Sequence, residues 1–241
     1  MTDVARRFPG RARPDGRHYC IDFTLAEIRT LRVTERRRKD GEGARYPGRF
    51  PPGCGNFRIH ALRDELEFIQ GLNKSTGRCA GVYTEIKDPE WHTRHGMSLG
   101  DQVVSTLDAC GYRSRNDPFF IQCFSGPELV RLRSRYGERL PLVRLLDEAA
   151  NSTAASLSAI ADYANAIGAA INLAWPDTGL MAGARQLGLL VHAFTFCADD
   201  LPAGVSSFDE LLKVFIEQLG VDGLFTDFPD LVVDALHQRN F

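Results

Sequence analysis

The sequence of 241 residues is 44% hydrophobic and 25% charged, which is typical of a globular protein and argues against disorder. Its net charge of −2 and isoelectric point of about 6.3 leave no broad positive field, so we expect neither a nucleic acid nor an anionic membrane as partner. The six cysteines include no CxxC pair, which argues against a zinc site and a dense disulfide framework. A small molecule is the expected partner.

The N-terminal segment lacks the apolar core of a signal peptide, and no apolar run reaches the roughly 18 residues of a membrane helix. As written, the sequence therefore predicts a cytoplasmic protein without a membrane span. Residues 1–76 are rich in Arg, Gly and Pro, with predicted helices at Thr24–Leu31 and Leu62–Leu72. We interpret this part as an insertion or an elaborate loop region.

From Gly77 onward, short apolar runs alternate with segments of helical period, which indicates βα units and a parallel sheet. Three of the predicted helices open with a hydroxyl three residues before a carboxylate, a helix-capping pattern, at Ser98–Asp101, Ser125–Glu128 and Ser207–Glu210. The predicted strands are Gly81–Ile86, Phe119–Phe124, Leu140–Leu146, Ala166–Leu173, Leu189–Phe196 and Asp222–Thr226.

The ends of the predicted strands carry the candidate chemistry, because active sites of parallel α/β barrels lie at the carboxyl ends of the strands. The first run closes with Glu85 and Lys87, which are two residues apart and therefore on one side of the strand. A carboxylate and an ammonium at that place suit a metal ion and a phosphate. The last run leads into a tight turn and a helix that begins near Pro229.

Two strings at these strand ends, TEIKDP and VDGLFTDFPD, resemble the third and eighth strand signatures of the glycerophosphodiester phosphodiesterase family. Further segments, DFTLAEIRTLRVTE, YPGRFP, FIQGLN, IQCFSGPEL and VHAFTFCADDLP, are similar to those of its periplasmic bacterial members. The resemblance implies a TIM-type (β/α) barrel, incomplete with about six of eight units. It also implies that residues 1–76 are a helical insertion between barrel strands, followed by a partial barrel over residues 77–241, in a single domain.

The resemblance further implies an activity, the metal-dependent hydrolysis of glycerophosphodiesters to glycerol 3-phosphate and an alcohol. The family holds a divalent cation with three carboxylates and uses two histidines as acid and base. An oxygen-rich site of this kind suits Ca²⁺, with Mg²⁺ as the alternative. The expected partner is thus a small glycerophosphodiester, such as a deacylated phospholipid.

Four residues of this chain match functional positions of the family. Glu85 matches the third metal-binding carboxylate, and Lys87 matches the lysine that faces the phosphate. Phe124 and Phe194 match side chains that line the substrate. For these two aromatic residues, burial in the core is the competing interpretation.

Other family motifs are absent from the chain, namely the His-Arg-Gly string, the Glu-x-Asp pair and the His-Asp string. Since two missing units correspond to about 60 residues, we expect an N-terminal truncation, through a misassigned start codon, a fragment or a lost 5′ end. The truncated chain is then expected to be inactive alone and to associate through its open barrel edges. A start further upstream would instead predict a periplasmic protein.

Three histidines near the predicted strands are further candidates, and two other functions compete with this one. His92 and His95 are either metal ligands or, as we prefer, exposed loop residues, while His192 inside an apolar strand is expected to be a hydrogen-bonded core residue. A non-catalytic remnant that binds a phosphate ester or a protein partner is the alternative to an enzyme. A barrel enzyme with another acid and base set is the third hypothesis.

Overall fold

Six parallel strands form the main sheet of the computed structural model, which describes residues 1–38, 40–49, 54–175 and 179–238. The chain divides into two units, Met1–Glu65 and Leu66–Phe241. The sequence-based division into an insertion and a partial barrel at residue 76 stays a prediction.

The first unit holds short elements only. They are α1 (Val4–Arg7), a 3₁₀ turn (Cys20–Asp22), α2 (Leu25–Thr30), and an antiparallel pair of strands, β1 (Arg32–Val33) and β2 (Phe57–Arg58). The predicted helix at α2 is confirmed. Thr24 caps it reciprocally, because its side chain accepts a hydrogen bond from Glu27 N at 3.2 Å while Glu27 Oε2 accepts one from Thr24 N at 2.8 Å.

Helix α3 (Leu62–Thr76) spans the division between the units and is longer than the predicted Leu62–Leu72. In the second unit, strands and helices then alternate along the chain. The strands are β3 (Val82–Glu85), β4 (Phe119–Cys123), β5 (Leu142–Leu146), β6 (Ala166–Ala170), β7 (Leu190–Phe196) and β8 (Gly223–Thr226). The helices are α4 (Pro89–Arg94), α5 (Leu99–Ala109), α6 (Gly126–Tyr136), α7 (Ala154–Ala161), α8 (Ile171–Ala174), α9 (Leu180–Gln186), α10 (Phe208–Lys213) and α11 (Pro229–Gln238).

The strands lie side by side in chain order, from β3 to β8, and every neighbouring pair is parallel. Strands in sequential order with helices between them form an incomplete TIM-type (β/α) barrel, as predicted. Among the described strands, β3 and β8 each pair with one neighbour only. No helix of the described residues has both the length and the apolar character needed to cross a membrane.

Two local predictions are wrong. The fourth predicted strand, Ala166–Leu173, ends at Ala170 because the residues after it form helix α8, and a short apolar run does not distinguish a strand from a buried helix. Ser98 does not cap helix α5, since its hydroxyl donates to Asp101 Oδ2 at 2.7 Å instead of accepting from a backbone amide. Ser125 and Ser207 cap helices α6 and α10 as predicted.

The main hydrophobic core lies between the outer face of the sheet and the helices. Ile167 and Val191 on the sheet and Leu157 and Leu211 on helices are almost wholly buried in it. At its centre, the rings of Phe196 on β7 and Phe215 pack edge to face with their centroids 4.9 Å apart. This core leaves the opposite face of the sheet, at the carboxyl ends of the strands, available for a site.

Candidate functional site

A cavity of about 340 Å³ opens at the carboxyl ends of the strands of the second unit. Its walls come from strands β3, β4, β5, β7 and β8 and from the residues directly after them. In a parallel barrel this end carries the active site, because the loops that vary between proteins begin there. The lining residues are Glu85, Lys87, Gln122, Phe124, Leu145, Phe194, Thr195, Phe225, Thr226 and Asp227.

Glu85 and Lys87 form a charged pair at the rim of this cavity. Glu85 is the last residue of β3, and Lys87 follows two residues later on the same side. The Lys87 ammonium lies 3.6 Å from Glu85 Oε2, and its side chain is 74% exposed, against 25% for Glu85. The lysine is therefore accessible to an anionic ligand, whereas the carboxylate lies deeper.

Phe124 and Phe194 lie in the wall of the same cavity. Phe124 directly follows β4, and Phe194 lies within β7. Their ring centroids are 6.1 Å apart, with the rings nearly perpendicular. Phe124 is 40% exposed, so this ring is not part of the core. The structure thus brings the four residues singled out from the sequence into one cavity, while their individual roles stay predictions.

Two cavity residues were missed by the sequence analysis as site candidates. Gln122 on β4 is only 8% exposed, and its Oε1 atom is buried without a hydrogen-bond partner. Asp227 follows β8, where its carboxylate accepts a hydrogen bond from Cys197 Sγ at 3.5 Å. A polar residue within the apolar run FFIQCF was the available signal for Gln122.

A second cavity, of about 510 Å³, adjoins the first and shares Glu85, Lys87 and Phe124 with it. Arg144 of β5 lines it, and its guanidinium donates hydrogen bonds to the carbonyl oxygens of Phe124 and, at 2.7 Å, of Leu145. Cys123 at its base is buried, which raises the pKa of the thiol to about 11 and keeps it protonated at neutral pH.

Within the described residues, no group of three or more His, Cys, Asp or Glu side chains is arranged to hold a metal ion. Glu85 is the predicted metal ligand, but the charged group beside it is an ammonium, which repels a cation. Even together with Asp227, whose carboxylate lines the same cavity, Glu85 does not supply the six to eight oxygen ligands that Ca²⁺ takes. The residues described here therefore do not fit a metal site by themselves.

The two histidines that follow β3, His92 and His95, do not supply a metal site. His92 lies within helix α4 and is half-buried, so the prediction of an exposed loop residue is wrong for it, whereas His95 directly follows the helix and is exposed, as predicted. His95 is exposed, its Nδ1 is hydrogen bonded to Trp91 O at 2.7 Å, and its ring stacks on Trp91 at 4.0 Å. Helix α4 begins at Pro89, and proline is favoured at the first position of a helix because its backbone φ angle already suits the helix.

The amino-terminal end of the same sheet face is aromatic and contains His192. Tyr83 Oη is hydrogen bonded to His192 Nδ1 at 2.7 Å, and the Tyr83 ring contacts Phe120 and Phe225 at 5.0 and 4.7 Å. Burial lowers the pKa of His192, with Asp222 opposing the shift, and burial raises the pKa of Tyr83. His192 is thus a hydrogen-bonded core residue, as predicted.

Comparison with known proteins gives one consistent match. The model of the glycerophosphoryl diester phosphodiesterase family matches residues 1–231. A glycerophosphodiester phosphodiesterase of Haemophilus influenzae is 35% identical over 272 aligned positions, covering 98% of this chain and 75% of that protein. One of Treponema pallidum is 30% identical, covering 98% of this chain and 76% of that protein.

Solved structures show the same fold. A putative glycerophosphoryl diester phosphodiesterase from Silicibacter pomeroyi superimposes with a TM-score of 0.68 at 21% identity, covering 91% of this chain and 69% of that one. A putative glycerophosphodiester phosphodiesterase from Galdieria sulphuraria gives a TM-score of 0.63 at 15% identity, covering 92% and 74%.

Proposed function

The chain belongs to the glycerophosphoryl diester phosphodiesterase family, and we propose that the cavity at the strand ends binds glycerophosphodiesters for hydrolysis to glycerol 3-phosphate and an alcohol. The observation that carries this proposal is the convergence of Glu85, Lys87, Phe124 and Phe194 on one cavity. The negative charge of a phosphodiester is bound by a positively charged side chain such as that of Lys87, and its carbon groups are bound by an apolar wall. This cavity offers both.

Each of these side chains has a role that follows from its chemistry. The Lys87 ammonium binds the phosphate oxygens, and a charge-assisted hydrogen bond of this kind is stronger than a neutral one. Phe124 and Phe194 contact the carbon atoms of the glycerol or of the leaving alcohol, and exclude water from them. The deep part of the cavity, at Gln122, is left for the polar end of the substrate.

Divalent-metal dependence is a general property of the family, and we propose Ca²⁺ as the ion, with Mg²⁺ as the alternative. Glu85 is its proposed ligand in this chain. Because the described residues do not complete a metal site, the chain alone is expected to bind Ca²⁺ no better than in the millimolar range. Calcium titration by calorimetry checks this, and saturable binding at micromolar concentrations contradicts it.

A second candidate function is the non-catalytic binding of a phosphate ester. None of the six histidines lines the cavity of the described structure, and none is followed by Arg or Asp in the sequence. The chain therefore offers no histidine as general acid or base beside Lys87. This observation favours binding over turnover for the chain by itself.

Glycerophosphocholine is the substrate with which both candidates are tested. With Ca²⁺ added, we expect the purified chain to bind glycerophosphocholine saturably and to release no glycerol 3-phosphate above the blank. Turnover above the blank contradicts the claim that the absent histidines are needed. A lack of binding contradicts the proposed site itself.

Association through the strand edges is a separate proposal. Strands β3 and β8 present unpaired backbone groups in the described part of the sheet, and such edges are templates for pairing with another chain. Size-exclusion chromatography with light scattering, over a range of protein concentrations, measures the molar mass and so the association. A monomer at every concentration contradicts it.

A further inference from the structure

Gln122 carries a buried amide oxygen that has no hydrogen-bond partner in the protein. It is 8% exposed, and its Oε1 atom has no hydrogen-bond partner in the structure. The other residues of β4 are Phe119, Phe120, Ile121 and Cys123. Since a buried acceptor without a donor destabilises a fold, its presence at the base of an open cavity points to a ligand.

Neither Thr226 nor Lys87, two residues with donors that line the cavity, donates a hydrogen bond to this amide oxygen. The Thr226 hydroxyl donates to Phe196 O at 2.9 Å and accepts from Phe228 N at 2.8 Å. The Lys87 ammonium lies at the exposed rim, 3.6 Å from Glu85 Oε2. The cavity walls also include the apolar side chains of Leu145, Phe124, Phe194 and Phe225, together with the exposed Thr195 and Asp227 after β8.

The position of Gln122 relative to the charged pair follows from the strand register. Gln122 pairs with Glu85 across β3 and β4, so both side chains project from the same face of the sheet. Lys87 is two residues further toward the rim, a step of roughly 7 Å along the strand direction. A ligand that reaches both groups extends from the exposed rim into the cavity.

We propose that Gln122 Oε1 accepts a hydrogen bond from a hydroxyl group of the substrate glycerol, and so selects hydroxylated phosphate esters. This inference rests on the proposed function. A phosphodiester anion has no hydrogen to donate, whereas each glycerol hydroxyl has one. The phosphate therefore lies at Lys87 and the glycerol hydroxyl at the buried amide, which fixes the direction in which the substrate enters.

This arrangement determines specificity. A site that hydrogen bonds a substrate hydroxyl strongly rejects the analogue that lacks it, because its own polar group is then left buried and unpaired. Glycerol 3-phosphate and propyl phosphate share the phosphate and the three-carbon chain, and differ only in the two hydroxyls. They are therefore the matched ligand pair.

The test measures the affinity of both ligands by calorimetry for the full chain and for two variants. Gln122→Met keeps the length of the side chain and removes its acceptor, and Gln102→Met makes the same change on an exposed residue of helix α5. For the unchanged chain and for Gln102→Met, we expect glycerol 3-phosphate to bind about tenfold more tightly than propyl phosphate. For Gln122→Met we expect this preference to disappear, with propyl phosphate binding unchanged.

Circular dichroism reports whether each variant is folded, and Gln122→Leu provides a second apolar replacement. An unchanged preference in both Gln122 variants overturns the inference while leaving the proposed function intact. An equal loss of affinity for both ligands also overturns it, since the amide then binds the phosphate. If neither ligand binds the unchanged chain, the proposed function fails as well.

Discussion

The two ends of the inner sheet face differ in how fully their polar groups are paired, although the same strands build both. At the amino-terminal end, Tyr83 and His192 bind each other at 2.7 Å within a set of aromatic rings. Two residues further along β3 and β4, Glu85 and Gln122 line an open cavity, and the Gln122 Oε1 atom has no partner. On β3, Tyr83 therefore contributes to packing, whereas Glu85, two residues later, lines the cavity.

The comparison separates stability from function. The aromatic end buries apolar surface and pairs Tyr83 Oη with His192 Nδ1, which stabilises the fold. The cavity end keeps a carboxylate, an ammonium and an amide available, which contributes little to stability and is typical of a binding site. Substitutions at equivalent positions of the two ends should therefore have opposite consequences.

The largest expected effect comes from a pair of alanine substitutions on β3. Tyr83→Ala removes a ring that contacts Phe120 and Phe225, and should lower the free energy of unfolding by about 3 kcal/mol. Glu85→Ala removes a carboxylate whose partner is an exposed lysine, and should change it by less than about 1 kcal/mol. Urea unfolding measures both, and equal losses contradict the division between the two ends.

An intermediate effect is expected for binding at the rim. Lys87→Ala should weaken the binding of glycerol 3-phosphate about tenfold, because one charge-assisted hydrogen bond to the phosphate is lost from an exposed position. Lys213→Ala removes the same charge from an exposed position of helix α10 and is the matched control.

Calorimetry at low and high salt separates the specific contact from general attraction. The Lys87 effect should persist at high salt in part, while Lys213→Ala has no effect at either. Equal weakening by both variants indicates a diffuse electrostatic field, and contradicts a phosphate site at Lys87.

The smallest effect concerns pH and the aromatic end. Burial lowers the pKa of His192 below 6.5, against a smaller opposing effect of Asp222, so the unfolded chain takes up a proton before the folded one does. The free energy of unfolding should therefore fall as the pH decreases through about 6.5. Unfolding curves between about pH 7.5 and 5.5 should show this fall.

His192→Asn is the control for the pH effect, since its amide oxygen can replace Nδ1 as the acceptor for Tyr83 but does not titrate. We expect a smaller fall in stability with decreasing pH for this variant than for the unchanged chain. An identical pH dependence contradicts the assignment to His192.

The sequence predicted the sheet well, because each strand is a short apolar run bounded by turn residues or helix caps. The sequence also placed Glu85 and Lys87 at a strand end, because the apolar pattern of a single strand is sufficient to locate its carboxyl end. It did not single out Gln122, because whether a buried amide is paired depends on the register of β3 with β4 and on side chains from β7 and β8. The sequence also predicted a fourth strand that runs into helix α8. The apolar residues Leu173 and Ala174 are buried in the helix, and the same apolar pattern would suit a buried strand.

The most direct test of the account is a titration of the isotopically labelled chain with glycerol 3-phosphate, followed by the amide resonances in NMR spectra. We predict that saturable shifts cluster at the carboxyl ends of the strands, around Glu85, Lys87, Gln122 and Asp227, while those of Tyr83 and His192 stay unchanged. Shifts centred on Tyr83 and His192, or no saturable shift at all, would contradict a phosphate-ester site at this end of the sheet.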